Sequence, residues 1–363
     1  APTGRRKMSI LKLARPEIRA LHAYEAAEQV DDTIRLNANE SPQATTAGAF
    51  RRPLNRYPEV RPTGLQNGLA RRFGCAPEEL LVTRGSSEAI DLVIRAFCRA
   101  GQDSMVVTSP SFSMYWHFAA VQDARVIEVA TRAEQDFAVD VDDILEARDD
   151  TTRLIFVCSP NNPTGTAIPR AEIERLLEAC ADSAAVIVDE AYIEFGGTGS
   201  VIELLDRYDN LLVLRTLSKA LGFAGARCGA VAGPADVIRM LAAVQAPYAL
   251  ATPVVECVED ALSADQLQAA DDIVTCVIAE RGRLSAALRE FDFISRVWPS
   301  DANFVLVRTS CPREIMEYCA AHKVLLRHFG GALDDCIRIT IGSPAENDAL
   351  LEALGSFRSQ GDG

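Results

Sequence analysis

A chain of 363 residues, 48% apolar and 24% charged, can bury the core of a large α/β domain plus a smaller one. No stretch approaches the roughly 18 consecutive apolar residues of a membrane span, so no membrane partner is expected. The formal net charge of −14 argues against nucleic acid, whose phosphates are held by a basic surplus.

The start, APTGRRKMSILKLARP, has two arginines with no apolar segment behind them, which speaks against a secretory or twin-arginine signal. Met8 is a candidate natural initiator, with residues 1–7 upstream of it. Residues 1–45, turn-rich at RLNANESP, are expected to form an N-terminal arm and part of a small domain. From about residue 65, short β-branched runs alternate with helical stretches, the signature of a mostly parallel sheet covered on both faces. The predicted strands are LLVT (80–83), SMVVTS (104–109), ARVIEV (124–129), RLIFVCS (153–159), AVIVDEA (185–191), LLVLRTL (211–217) and CGAVAG (228–233). Several are apolar throughout, as central parallel strands are. Between the first two, Ile90, Val93, Ile94 and Phe97 fall on one helical face, with Ser86 or Ser87 as N-cap and Gly101 as stop. After Pro247 long helices run to about residue 290, and FISRVW, ANFVLVR, KVLLRHF and CIRITIG then predict a small α/β domain. The expected division is 46–285 for the large domain and 286–363 for the small one.

Ten cysteines scatter from Cys75 to Cys336 with no CxxC pair, which predicts reduced thiols and a cytoplasmic setting. His322 and His328 have no cysteine or carboxylate at ligand spacing, so no metal site is expected.

Open parallel sheets bind ligands at the carboxyl ends of their strands. There the sequence places Gly85-Ser86-Ser87, then Ser109-Pro110-Ser111-Phe112, then Ser159-Pro160-Asn161-Asn162-Pro163-Thr164-Gly165, then Asp189-Glu190-Ala191-Tyr192, then Thr216-Leu217-Ser218-Lys219. An anion-binding helix start, a ring, an amide, a carboxylate with a phenol, and a lysine beside hydroxyls together match pyridoxal phosphate. That cofactor presents a phosphate, a ring face, a phenolic oxygen, a pyridine nitrogen and an aldehyde. In order along the chain, NANESP, NRYP, SPNNPTG, VDEAY, TLSKALGFAGAR, ANFVLVR and RITIG resemble the fold-type I, aspartate-aminotransferase-like enzymes, and within them most closely the histidinol-phosphate aminotransferase family.

The resemblance covers nearly the whole chain and implies a large domain with a seven-stranded mostly parallel sheet, pyridoxal 5′-phosphate as cofactor, and these roles. Lys219 carries the cofactor through its aldehyde and moves the proton in catalysis. Asp189 pairs with the pyridine nitrogen, and Tyr192 and Asn162 bond the phenolic oxygen. Phe112 stacks on the ring, where relatives commonly have tyrosine. Arg227, Ser218, Thr216, Ser86 and Ser87 hold the phosphate; relatives usually have an acidic residue at position 87. Tyr57 reaches the cofactor phosphate of a neighbouring subunit, which implies a homodimer with shared active sites. Arg338 and Arg327 hold the substrate's anionic group, with Asn162 beside them, and Tyr24 and Asn39 close over it. The implied substrates are a small amino donor and a 2-oxo acid: histidinol phosphate and 2-oxoglutarate in histidine biosynthesis. An aromatic amino donor, a threonine-phosphate decarboxylase-like lyase and a non-catalytic cofactor-binding regulator remain as alternatives, because the cofactor motifs do not specify the side-chain pocket.

Overall fold

The computed structural model describes residues 9–22 and 50–361. Tyr24 and Asn39, with most of the N-terminal arm, lie outside the described residues.

Seven strands form one sheet: β1 (Leu80–Thr83), β2 (Ser104–Ser109), β3 (Arg125–Ala130), β4 (Thr152–Cys158), β5 (Ala185–Asp189), β6 (Leu211–Thr216) and β7 (Gly229–Ala232). Their spatial order is β1-β7-β6-β5-β4-β2-β3. The strands from β3 to β6 run parallel, and β7 is antiparallel to both β6 and β1. The continuous apolar runs have a simple cause. In β5, Ala185 and Ile187 enter one core while Val186 and Val188 enter the other, and β6 divides Leu212 and Leu214 from Leu211 and Val213 in the same way. Burial on both faces is what a helix-covered parallel sheet requires.

The strands β4, β5 and β6 end earlier than expected, and β7 starts one residue later. Ser159, Glu190, Ala191, Leu217 and Cys228 leave the ladder, and all lie within two residues of groups that border the cavity described below. The first long helix, Ser86–Phe97, is capped by Gly85 rather than by a serine, and it ends at Cys98 rather than Gly101. Gly85 adopts φ +77°, a conformation open to glycine and strained for a serine.

A second, antiparallel sheet contains β8 (Ile294–Val297), β9 (Phe304–Thr309), β10 (Arg327–His328) and β11 (Cys336–Thr340), in the order β10-β11-β9-β8. KVLLRHF yields only the two residues of β10, and Leu325 within it is 85% exposed. The helix Ala264–Leu288 joins the two halves: Ala270 and Val274 pack in the core of the large sheet, Leu284 and Leu288 in that of the small one. Among the described residues no helix is long and apolar enough to cross a membrane.

Candidate active site

The carboxyl ends of β4, β5 and β6, the start of the helix Ser86–Phe97 and the edge formed by β10 and β11 enclose a cavity of about 560 Å³. Every expected site residue within the described chain borders it except Tyr57. Tyr57 is 49% exposed and stacks on Tyr248 with ring centroids 4.6 Å apart.

Two neighbouring acids at the end of β5 meet opposite fates. Glu190 turns away from the cavity, where it lies 3.4 Å from the Arg215 guanidinium and accepts from Ser200 Oγ and the Val201 N–H. Asp189 is equally buried but has no arginine; its Oδ2 accepts from Tyr115 at 2.8 Å and its Oδ1 from the Ala191 N–H at 3.1 Å. Burial raises the Asp189 carboxyl to about 6, against the pull of those two hydrogen bonds and of the Lys219 charge. Asp189 is therefore a dry acid held ready for a cationic partner.

Lys219 opens onto the same cavity, with Nζ 5.5 Å from the centre of the Tyr192 ring. Desolvation lowers its pKa, and the charges of Arg338 and Arg227 lower it further, while Asp189 opposes them. An amine so placed gives up its proton more readily than one on the surface, as a nucleophile and general base must.

At one end of the cavity Arg227 Nη1 donates to Ser218 Oγ at 3.3 Å, and the Ser218 N–H donates to Thr216 Oγ1 at 3.2 Å. Arg227 itself adopts a left-handed φ of 51°. A Cβ on Gly85 would come within 2.8 Å of Arg227 Nη2. Gly85 thus leaves room for a guanidinium beside the first backbone N–H groups of a helix, a ready anion cradle. Ser86 and Ser87 begin that helix.

At the other end Asn162 donates to Tyr192 Oη at 3.3 Å and accepts from Arg338 Nη1. The loop carrying Asn162 is pinned by Asn161, which donates to the Pro110 carbonyl and accepts from Ser111 Oγ. Arg338 lies over the Phe304 ring, and its buried Nε has no hydrogen-bond partner. Desolvation lowers its pKa, as does the charge of Arg327, its register partner on β10. The Phe329 ring lies 5.6 Å from the Arg338 guanidinium and 5.7 Å from that of Arg327. Two guanidiniums bordering one space suit an anionic ligand group.

Sequence reasoning did not single out Phe329, Tyr115 or the steric role of Gly85. The two histidines satisfy themselves locally: His322 Nδ1 lies 2.8 Å from the Tyr318 carbonyl and His328 Nε2 2.7 Å from that of Asp334. Among the described residues no group of three or more His, Cys, Asp or Glu side chains could hold a metal ion.

The profile of the family Aminotransferase class I and II matches residues 26–354. The chain belongs to that family. It is 44% identical over 352 residues to the histidinol-phosphate aminotransferase of Xanthomonas campestris pv. campestris (strain 8004), covering 95% of this chain and 97% of the relative. The histidinol-phosphate aminotransferase of Clostridium acetobutylicum shares the fold, with a TM-score of 0.77 at 22% identity over 85% of this chain and 92% of that one. So does the L-threonine-O-3-phosphate decarboxylase of Porphyromonas gingivalis, with a TM-score of 0.70 at 25% identity over 84% of this chain and 91% of that one. The fold alone therefore does not separate transaminase from lyase.

Pyridoxal 5′-phosphate is the cofactor of this family, and the residues fit it. A buried acid without an arginine, a lysine of lowered pKa and a glycine-walled guanidinium cradle stand around one cavity. Gly85→Ala is expected to weaken cofactor binding by about tenfold and the fold by about 1–2 kcal/mol, because it adds both a clash with Arg227 and a strained φ. Titrating the apoprotein with pyridoxal phosphate checks this; an unchanged dissociation constant would remove Arg227 from the cradle.

Proposed function

We propose that the protein is a histidinol-phosphate transaminase, taking L-histidinol phosphate and 2-oxoglutarate to imidazole-acetol phosphate and L-glutamate. The observation that carries the substrate class is the pair Arg327 and Arg338, in register across β10 and β11 and facing the cavity that Lys219 enters. The 44% identity to a histidinol-phosphate aminotransferase over 95% of the chain supports the particular donor.

In this reading the cofactor, once bound, supplies an electron sink for the bond broken at the substrate's Cα. Asp189 holds the ring nitrogen protonated, so that the sink stays deep. Tyr192 and Asn162 bond the phenolic oxygen, and Phe112 covers the ring face. Arg227, Ser218, Thr216, Ser86 and Ser87 anchor the phosphate, fixing the ring against the force of the reaction. Lys219 would carry a proton between the substrate's Cα and the cofactor's C4′. Arg338 and Arg327 grip the phosphate of one substrate and a carboxylate of the other, which lets a single site serve both halves of the exchange. Tyr24 and Asn39 complete the substrate site. Tyr57 is exposed and lies outside its own chain's cavity, which supports a homodimer in which it reaches the site of a second copy. We place this dimer in the cytoplasm.

The test is glutamate formation from 2-oxoglutarate, followed with a coupled dehydrogenase, with histidinol phosphate or phenylalanine as donor. Histidinol phosphate is expected to give the higher kcat/KM. A preference for phenylalanine would keep the reaction class and overturn the substrate.

A further inference from the structure

Behind Asp189 stands a residue outside both the motifs and the lining of the cavity. Tyr115 lies in the first turn of the helix Met114–Gln122, is fully buried, and donates its hydroxyl to Asp189 Oδ2 at 2.8 Å. Its ring meets Phe112 edge-on, with centroids 5.8 Å apart at 89°, and leans on Phe156 at 5.1 Å. Phe112 is the ring assigned to the cofactor's face and Asp189 the acid assigned to its nitrogen. Both therefore rest on one buried tyrosine.

We propose that Tyr115 is a positioning residue, which aims the Asp189 carboxylate at the cofactor's ring nitrogen and keeps it ionised by hydrogen bonding to it. This rests on the reading of Asp189 given above. The geometry explains why the phenol is there at all. A tyrosine hydroxyl so deeply buried needs an acceptor, and a buried carboxylate needs donors; here each supplies the other. The Tyr115 hydroxyl stays protonated, since burial and the adjacent Asp189 charge raise its pKa well above the usual phenol range.

The other groups facing Asp189 do not substitute for it. Cys158, its register partner on β4, is a thiol held neutral by burial and by the Asp189 charge. Tyr192 is likewise a neutral phenol, raised by burial, and it takes its hydrogen bond from Asn162. Lys219 acts on Asp189 only through its charge. The Ala191 N–H serves the opposite carboxylate oxygen. Without the Tyr115 hydroxyl, Oδ2 keeps no donor among the described side chains, and the protonated form of Asp189 is favoured.

The experiment titrates apoprotein with pyridoxal phosphate across pH in four forms: unaltered, Tyr115→Phe, Asp189→Asn and the double variant. Phenylalanine keeps the ring and its contacts with Phe112 and Phe156, so only the hydroxyl is lost. Ionised Asp189 is required for tight binding, so affinity falls as pH drops through its pKa. Tyr115→Phe is expected to move that fall upward by about one pH unit, which weakens binding about twofold near neutrality and about tenfold near pH 5, below both positions of the fall. In the Asp189→Asn background the same change has no effect, because Tyr115 acts through the carboxylate. The cofactor's own phosphate titration is common to all four forms and cancels in the comparison.

An unshifted pH profile for Tyr115→Phe overturns the proposal, and so does an equal loss in both backgrounds, which marks a packing effect alone. If Asp189→Asn binds the cofactor as tightly as the unaltered protein, the reading of Asp189 falls, and the role of Tyr115 with it. Should Tyr115→Phe fail to fold, meta-fluorotyrosine at position 115, a stronger donor of nearly the same shape, keeps the test open. It is expected to move the fall to lower pH, and a shift upward or none overturns the proposal.

Discussion

Replacing Lys219 with alanine is expected to lower kcat for transamination by at least about 10⁴-fold, the scale of a positioned general acid–base group, with melting of the apoprotein nearly unchanged. The two halves of this expectation have different causes. Lys219 opens onto the cavity and makes no hydrogen bond or ion pair among the described residues, so its removal leaves no buried partner there unsatisfied. Catalytically nothing replaces it. The other basic side chains bordering the cavity, Arg227, Arg327 and Arg338, are guanidiniums, which bind anions through their N–H groups and offer no lone pair for proton transfer. Lys219→Arg should therefore be nearly as inactive as Lys219→Ala. Borohydride reduction of the loaded enzyme, followed by peptide mapping, should label Lys219. Label on another residue, or a variant retaining a tenth of the activity, would mean that the lysine has been misassigned.

Arg338→Gln is expected to lower kcat/KM by about 10²–10³ for both histidinol phosphate and glutamate, the loss that follows when a buried charged partner is removed. Its side chain is half buried, borders the cavity and donates to Asn162, so a substrate anion gains a partly desolvated partner that is already oriented. Lysine at this position should recover only part of the loss, because an ammonium cannot make two parallel hydrogen bonds. The test is to measure each half-reaction separately. A loss confined to one substrate would show that the two anions are held by different groups, with Arg327 the first candidate for the other.

The seven-stranded sheet was legible because its inner strands are buried on both faces and so spell uninterrupted apolar runs such as AVIVD and LLVL. The site was legible because the polar residues that break those runs all fall at one end of the sheet. What escaped was what depends on contacts across the fold. Gly85 carries no side chain to suggest a function, and its importance lies in the space it leaves for Arg227. Tyr115 sits in MYWHF, where nothing local marks it out from its aromatic neighbours, and its acceptor is 74 residues away. β10 is too short to make a pattern, since pairing with β11 fixes only Arg327 and His328 there. The serine caps failed for a similar reason: a good local cap was overruled by the anion cradle that Gly85 shapes.

In the proposed function Lys219, Asp189 and the arginine pair serve amino transfer from a phosphorylated amino donor. A single half-reaction tests this. Loaded enzyme is mixed with histidinol phosphate alone, and the visible absorbance of the bound cofactor is followed beside controls with phenylalanine and threonine phosphate. Histidinol phosphate is expected to discharge the band at the lowest concentration, and added 2-oxoglutarate to restore it with one glutamate formed per site. Carbon dioxide release from threonine phosphate, with no response to histidinol phosphate at millimolar levels, would contradict it and make the protein a lyase on the same fold.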